Sequence, residues 1–278
     1  MELRTLENAS LPQITAAFNE AFSDYFIKLQ FSTEGMAAKI KGEGILQRYS
    51  VGAFDGDQLV GFILHGYDVV DGVKTIYNAG TGVIPAYRGK GLTTALYRYS
   101  IPLLKREGIH SHLLEVIDNN HTAKKIYNAI GFETVRRLGA FRCTEPIQKT
   151  APYDIRAIDS LPVADAFMSV KPAWQNTTAS INRDKEGHAL IGAFEENTLV
   201  GYAAFVPATG RIKQVAVLPP HRGKRIGTAL FQHMLQHSGN GQLLLTNVDE
   251  AYQPAIHFLT ALGFQKILGL YEMKMQVA

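Results

Sequence analysis

The sequence predicts an α/β fold built twice, each copy a mixed, mostly antiparallel sheet flanked by helices. Three repeated stretches carry that prediction. Arg88-Gly89-Lys90-Gly91-Leu92-Thr93-Thr94-Ala95-Leu96 returns as Arg222-Gly223-Lys224-Arg225-Ile226-Gly227-Thr228-Ala229-Leu230. Val51-Gly52-Ala53-Phe54 through Leu59-Val60-Gly61 returns as Ile191-Gly192-Ala193-Phe194 through Leu199-Val200-Gly201, and Ala129-Ile130-Gly131-Phe132 returns as Ala261-Leu262-Gly263-Phe264. Leu3-Arg4 pairs with Ile155-Arg156. The order of the pairs is kept while their separation shrinks from about 152 to about 132 residues, which means tandem domains with loop deletions and not a solenoid.

Each element follows in order. A short strand at Glu2–Leu6 leads into one or two helices within Asn8–Arg48. The apolar runs either side of Asp55-Gly56-Asp57 read as a hairpin over Tyr49–Tyr67, because a tight acidic turn separates two strand patterns. A strand at Val73–Val83 ends at Pro85. The basic glycine turn and a helix to about Glu107 come next. A strand at Ser111–Ile117, a helix at Thr122–Ile130 and a last strand near Thr134–Arg142 close the first copy. The second copy repeats this order. Thr144–Pro152 is polar and carries two prolines, which suits a linker, so the expected domains are 1–145 and 153–278.

Composition narrows the function. The 278 residues are 46% hydrophobic and 19% charged, ordinary for a soluble globular chain. A net charge of +3, with scattered cations, gives no support to a nucleic-acid partner. One cysteine, Cys143, allows no internal disulfide and fits a reducing compartment. With no apolar leader and no run of about 18 apolar residues, the expectation is a cytoplasmic protein with no membrane partner. The nine histidines form no convincing metal spacing; His233 and His237 are four apart on a helix but lack a third ligand. No metal is expected, and the oligomeric state is open.

The basic turn is the most telling feature. A glycine-bearing turn that opens a helix offers free amides and the positive end of the helix dipole, a place to hold a pyrophosphate. Each copy follows an apolar strand that ends in proline. In the first half a later motif reads Asn120-x-x-Ala123-x-x-x-Tyr127-x-x-x-Gly131-Phe132.

Strand, turn and later motif together resemble the GNAT superfamily of N-acetyltransferases, across essentially the whole chain as two GNAT-like halves. The resemblance implies tandem GNAT-like domains and acetyl-CoA as cosubstrate. The amides around Arg88, Gly89, Lys90, Gly91, Leu92 and Thr93 would bind the coenzyme A pyrophosphate, with charge from Arg88 and Lys90. Thr93 departs from the superfamily's second glycine, though its hydroxyl can still donate. The strand at Thr81, Gly82 and Val83 would splay from the next one, near Leu113–Val116, so that the pantetheine arm pairs like an added strand. The Val83 amide would face the thioester carbonyl and stabilise the oxyanion. Gly80 and Gly82 fit a bulge or a close approach.

Tyr127 is the candidate general acid, since a phenol with a pKa near ~10 can protonate the departing thiolate. The alternative is a core place beside Phe132. Asn120 would touch the pantetheine or simply cap the helix. Glu115, inside the apolar run Leu113-Leu114-Glu115-Val116-Ile117, is the candidate base, matching a Leu-Glu-Val in some protein N-terminal acetyltransferases of the superfamily. An alkylammonium facing an ordinary glutamate is uphill by roughly 8 kcal/mol, so Glu115 needs burial or a water relay, or else it is a paired structural carboxylate. Ala21-Phe22-Ser23-Asp24-Tyr25-Phe26-Ile27 with Phe31, and Tyr67, Tyr77 and Asn78, would form the wall for a small-molecule or peptide amine.

The second half diverges at these places. Arg225 replaces the first loop glycine while Gly227 keeps the second. Aligned on Ala123 and Ala255, Tyr127 becomes Leu259, Asn120 becomes Tyr252 and Glu115 becomes Asn247. The reading is therefore an N-acetyltransferase whose first half transfers acetyl to a primary amine by direct attack in a ternary complex. The second half would be noncatalytic, keeping an anion site at Arg222–Gly227, unless Tyr252 or Tyr271 supplies the acid. Two alternatives stand beside it: a noncatalytic acyl-CoA-binding or interaction protein, and transfer of a different acyl group.

Overall fold

The computed structural model describes residues 1–25, 27, 29–148, 153–162 and 164–277. The chain forms two compact units. One is Met1–Val135 with Glu272–Ala278, the other Arg136–Tyr271.

The first unit runs β1 (Glu2–Thr5), α1 (Leu11–Ala21), α2 (Thr33–Glu43), β2 (Val51–Asp55), β3 (Gln58–Val70), β4 (Val73–Val83), α3 (Leu92–Arg106), β5 (Ser111–Ile117) and α4 (His121–Ile130). The chain then continues through β6 (Glu133–Cys143). The second unit has β7 (Asp154–Ala157), α5 (Ala164–Phe167), α6 (Thr178–Arg183), β8 (Ala189–Glu195), β9 (Thr198–Val206), β10 (Arg211–Val217), α7 (Ile226–Gln236), β11 (Leu243–Asp249), α8 (Gln253–Ala261) and the start of β12 (Gln265–Gln276). This is the tandem α/β architecture that the repeats imply.

Within the first unit the strand order is β1-β2-β3-β4-β5-β12; within the second it is β6-β11-β10-β9-β8-β7. All pairs with a described register are antiparallel except β4 with β5 and β10 with β11. The outer strands are not where the linear division 1–145 and 153–278 puts them. Glu272–Gln276 of β12 belongs to the first unit, where the Val277 amide bonds the His110 carbonyl at 2.9 Å. Arg136–Cys143 of β6 belongs to the second, in register with β11 from Leu243↔Cys143 to Asp249↔Leu138.

Amphipathic helices cover the sheets. α1 buries Ile14, Phe18 and Ala21, and α3 buries Leu92, Leu96, Tyr97 and Leu104. The apolar face of each helix supplies its stability, since short isolated helices are marginal in water. Ser10, Ser32, Asn120 and Thr177 cap their helices with side-chain oxygens. No helix among the described residues is long and apolar enough to cross a membrane.

Candidate active site

Two local devices open a cleft in the first unit. The first is a bulge. Leu64 pairs with Gly80 but the next residue, His65, pairs with Asn78, so Ala79 is the extra residue on β4. The second is the end of the parallel pairing. β4 and β5 are in register from Thr75↔Ser111 to Asn78↔Leu114 and no further, while both strands continue. The Ile84 amide bonds the Val60 carbonyl on β3 at 3.0 Å. Strand alternation then turns the Val83 amide the other way, to the side where β5 has left. The second unit repeats both devices. Lys213 is the bulged residue, and β10–β11 pairing ends at Ile212↔Leu245.

Glycine serves packing here. A Cβ on Gly80 would come 3.1 Å from the Phe18 ring, and one on Gly82 would come 2.6 Å from the Phe62 ring and 2.8 Å from Ala21 Cβ. Gly80 and Gly82 let α1 lie close on β4. Gly227 is explained the same way: its Cβ would meet the Phe258 ring at 2.9 Å. Ile126 stands at the Phe258 position in the first half, where Thr93 takes the place of Gly227.

The basic turns have the backbone of an anion site. Gly89 and Gly91 both have φ +74°, and Gly223 has φ +80°. Neither α3 nor α7 has a side-chain N-cap bond, which leaves their first amides without the usual internal partner. Leu92 is buried as the first core residue of α3, and Thr93 follows it. Lys90 Nζ lies 3.3 Å from the Ala86 carbonyl and over the Tyr87 ring. The Arg88 side chain is also engaged within the protein. Its guanidinium holds Asp24 through two bonds of 2.6 and 2.8 Å, the Ala21 carbonyl at 3.0 Å and, through Nε, the Val83 carbonyl at 3.1 Å. It clamps the end of α1 to the end of β4, and its charge is matched by a carboxylate. That guanidinium holds the Asp24 carboxyl below the usual carboxylate range.

Tyr127 projects from α4 into a buried polar cluster. Asn78 Nδ2 donates to Tyr97 Oη and to Thr81 Oγ1, both at 2.8 Å, and Asn78 Oδ1 accepts from the Gly80 amide at 3.0 Å. The Tyr97 and Tyr127 rings meet edge to face with centroids 6.0 Å apart. Burial pushes the Tyr127 phenol up to about 12, opposed by hydrogen bonding from Thr81 and Asn78. Burial likewise carries Tyr97 well above the ordinary phenol range. Behind Tyr97 stands His112, ring centroids 5.7 Å apart, and behind His112 stands His65 at 4.9 Å. Both imidazoles are fully buried.

Asn120 caps α4, its Oδ1 accepting from the Ala123 amide at 3.1 Å, and its Nδ2 reaches Tyr25 Oη at 3.4 Å. Glu115 follows the last paired residue of β5 and is half-buried. Phe22 and Phe31 pack with Phe18, at 4.5 and 5.3 Å between centroids, in one aromatic cluster that includes Tyr25 and Phe62. Phe26 lies outside the described residues. Tyr77 is buried and Tyr67 packs on Tyr49. Among the described residues no group of three or more His, Cys, Asp or Glu could hold a metal ion.

The second unit holds a cavity of about 610 Å³. Its walls are β10 from Lys213 to Val217, β11 from Leu245 to Asp249, the turn residues Arg222 and Arg225, Tyr252 just before α8, and Phe258 and Leu259 on α8. Arg222 repeats the clamp, bonding the Val217 carbonyl at 3.0 Å and the Phe167 carbonyl at 2.8 Å. Its other partners among the described residues are the hydroxyls of Ser169 at 2.9 Å and Tyr252 at 3.4 Å. Arg225 adopts φ +67° where the first unit has Gly91, a costly conformation for a residue with a Cβ. Asn247 has φ +62° within the register shift between Leu245 and Val248. Counted from the last parallel pairs, the residue answering Glu115 is therefore Thr246, and Asn247 is the irregular one.

The comparisons with known proteins agree with this geometry. The acetyltransferase (GNAT) family model matches residues 11–132 and 155–264. This chain belongs to the GNAT acetyltransferase family, with one family unit in each half. N-alpha-acetyltransferase 30 of Schizosaccharomyces pombe is 31% identical over 91 residues, which is 32% of this chain and 61% of that enzyme, less than two thirds of its length. A tandem GNAT protein from the clavulanic acid biosynthesis pathway matches with a TM-score of 0.74 at 17% identity, over 100% of this chain and 99% of that one. A GCN5-related N-acetyltransferase from Sphaerobacter thermophilus matches with a TM-score of 0.69 at 18% identity, over 99% and 95%. These structural likenesses support the fold; the family match supports acyl transfer.

Proposed function

We propose that the protein is an N-acetyltransferase that moves acetyl from acetyl-CoA to a primary amine, with Tyr127 of the first unit as general acid. The reading rests on one observation above all: Tyr127 stands in a buried polar cluster at the point where β4 and β5 part. The uncapped start of α3, with Gly89 and Gly91 in the left-handed region, fits a pyrophosphate. The Val83 amide fits the thioester oxyanion. The neutral amine attacks the thioester carbonyl, the C–S bond breaks, and the thiolate takes the Tyr127 proton. Glu115 serves as base or through water.

The named activity of the S. pombe relative favours a peptide α-amine as the first acceptor to try. Such an amine has a pKa near ~8, which lowers the cost of deprotonation by a carboxylate from roughly 8 to roughly 5 kcal/mol. The test is coenzyme A release from acetyl-CoA with a panel of amines that includes short peptides with free N-termini. Tyr127→Phe should abolish most turnover, and Arg222→Ala should leave it standing. Loss of turnover only in Arg222→Ala would move catalysis to the second unit. Failure of coenzyme A to bind at millimolar concentration would sink the whole reading.

A second reading concerns the second unit. Its cavity joins the basic turn to splayed strands, but Leu259 there can donate no proton. It would hold a phosphate-bearing ligand such as coenzyme A without transferring its acyl group.

A further inference from the structure

The two units can be aligned residue by residue through their shared bulge. Val83 pairs with Gly61 as Val217 pairs with Gly201, and Asn78 pairs with His65 as Ile212 pairs with Phe205. On this register Thr81 answers Val215 and Asn78 answers Ile212. The turn repeat sets Tyr97 against Phe231, and the downstream motif sets Tyr127 against Leu259. Every polar member of the cluster thus has an apolar counterpart. The same fold closes its core in the second unit with Phe231, Ile212 and Leu259 buried or packed there. The second unit buries a different polar group beside its bulge, Gln214 with Tyr202 at 3.1 Å, so the cluster around Asn78 is not something this architecture needs in order to fold.

Keeping it carries a cost. Buried hydroxyls and amides lose their water and must be repaid by hydrogen bonds. Here the repayment is specific. Both N–H bonds of Asn78 are committed, one to Tyr97 and one to Thr81, and its carbonyl holds the Gly80 amide, so the amide cannot turn over. Asn78 also sits at the last paired position before the splay. One side chain ties together the bulge, the strand beside the cleft and helix α3. The tied groups are those that surround the Tyr127 ring.

We propose that Asn78 and Tyr97 are positioning residues for proton delivery, acting through Thr81 on Tyr127. This rests on the acetyltransferase reading above. When the C–S bond breaks, its electron pair leaves with sulfur and the sulfur takes the Tyr127 proton. The resulting phenolate is stabilised by donors that Asn78 and Tyr97 hold in place. The proton lost by the attacking nitrogen, passed through water, restores the phenol.

The test uses acetyl-CoA and acetyl-seleno-coenzyme A as donors and a short peptide with a free N-terminus as acceptor. A selenolate is a far better leaving group than a thiolate and needs no proton to depart. Tyr97→Phe installs the residue that the second unit carries, and Asn78→Ile does the same. With the thioester, Tyr97→Phe should lower kcat about tenfold, the worth of one hydrogen bond, with KM within about twofold. With the selenoester that deficit should vanish. Wild-type kcat in Tyr97→Phe and Asn78→Ile would overturn the proposal, and so would equal loss with both donors, since packing damage does not distinguish leaving groups. Tyr127→Phe separates the two levels of the argument. If it is impaired and rescued by the selenoester while Tyr97→Phe is normal, only the positioning role fails. If Tyr127→Phe is itself fully active, the acid assignment fails with it.

Discussion

The two units share turn, bulge, splay and clamp, and they differ in how they treat charge and polarity. In the first, polarity is buried: His65, His112, Tyr97, Asn78 and Tyr127 run through the interior, and Arg88 is matched by Asp24. In the second, the corresponding positions are apolar and the buried polar group is a different one, Gln214 with Tyr202, while Arg222 and Arg225 line the cavity and the partners of Arg222 among the described residues are carbonyls and hydroxyls. A fold that closes its core with apolar residues does so at less desolvation cost. The difference teaches that the polar column is particular to the first unit, while the second unit presents its arginines to a cavity.

The largest effect expected from breaking the comparison is on turnover. Tyr127→Phe should lower kcat by about 100-fold or more, the usual worth of a general acid. Adding Leu259→Tyr to that variant should restore nothing, because Phe231, Ile212 and Val215 offer the new phenol no support. Recovery of turnover would show that a tyrosine alone makes a unit active.

Next is pH. Burial depresses His65 from 6.5 to about 4, outweighing its bond to the Tyr49 carbonyl, and burial with the His65 neighbour depresses His112 further below its ordinary range. The unfolded chain takes up a proton near pH 6.5 and the folded one resists until about 4. The stability from His65 is therefore whole above pH 6.5 and is lost as pH falls toward 4, by about 3 kcal/mol. Urea unfolding between pH 7 and 4.5 should show this slope, and His65→Phe, which copies Phe205, should flatten it. A slope unchanged in that variant would contradict the assignment.

A smaller effect tests packing. Gly82 answers Ala216, but a Cβ at Gly82 would crowd Phe62 and Ala21. Gly82→Ala should cost about 1–3 kcal/mol of stability in thermal or urea unfolding, as overpacking does. The smallest concerns the clamp. Asp24→Ser gives Arg88 the neutral kind of partner that Arg222 has. Coenzyme A should bind slightly tighter at low salt, with the gain lost at high salt. A gain that persists at high salt would point to something other than freed charge.

Much of this was legible in the sequence. The repeated turn located both helix starts, and the repeated Gly-Ala-Phe runs located both hairpins at β2–β3 and β8–β9. Tyr127 and Asn120 stood out through the motif that resembles the GNAT pattern. Tyr97 did not: on α3 it has the pattern of any core aromatic, and only the register of the bulge sets it beside Asn78. The clamp was hidden because nothing in the turn itself points to Asp24, distant in sequence, as a partner of Arg88. The outer strands were also hidden. The sequence marks a strand near Thr134–Arg142 but carries no label for its partner. Thr246 was masked by the irregular residue at Asn247.

The placement of those outer strands sets an order in time. Glu272–Gln276 completes the first unit's sheet, yet these residues leave the ribosome after all of the second unit has been made. The half that emerges first is therefore the half that finishes last, with β5 exposing a bare edge during the wait. Cutting the chain in the linker would not release a finished N-terminal unit. It would release one lacking its outermost strand, and supplying the 272–276 segment as a separate peptide should repair it.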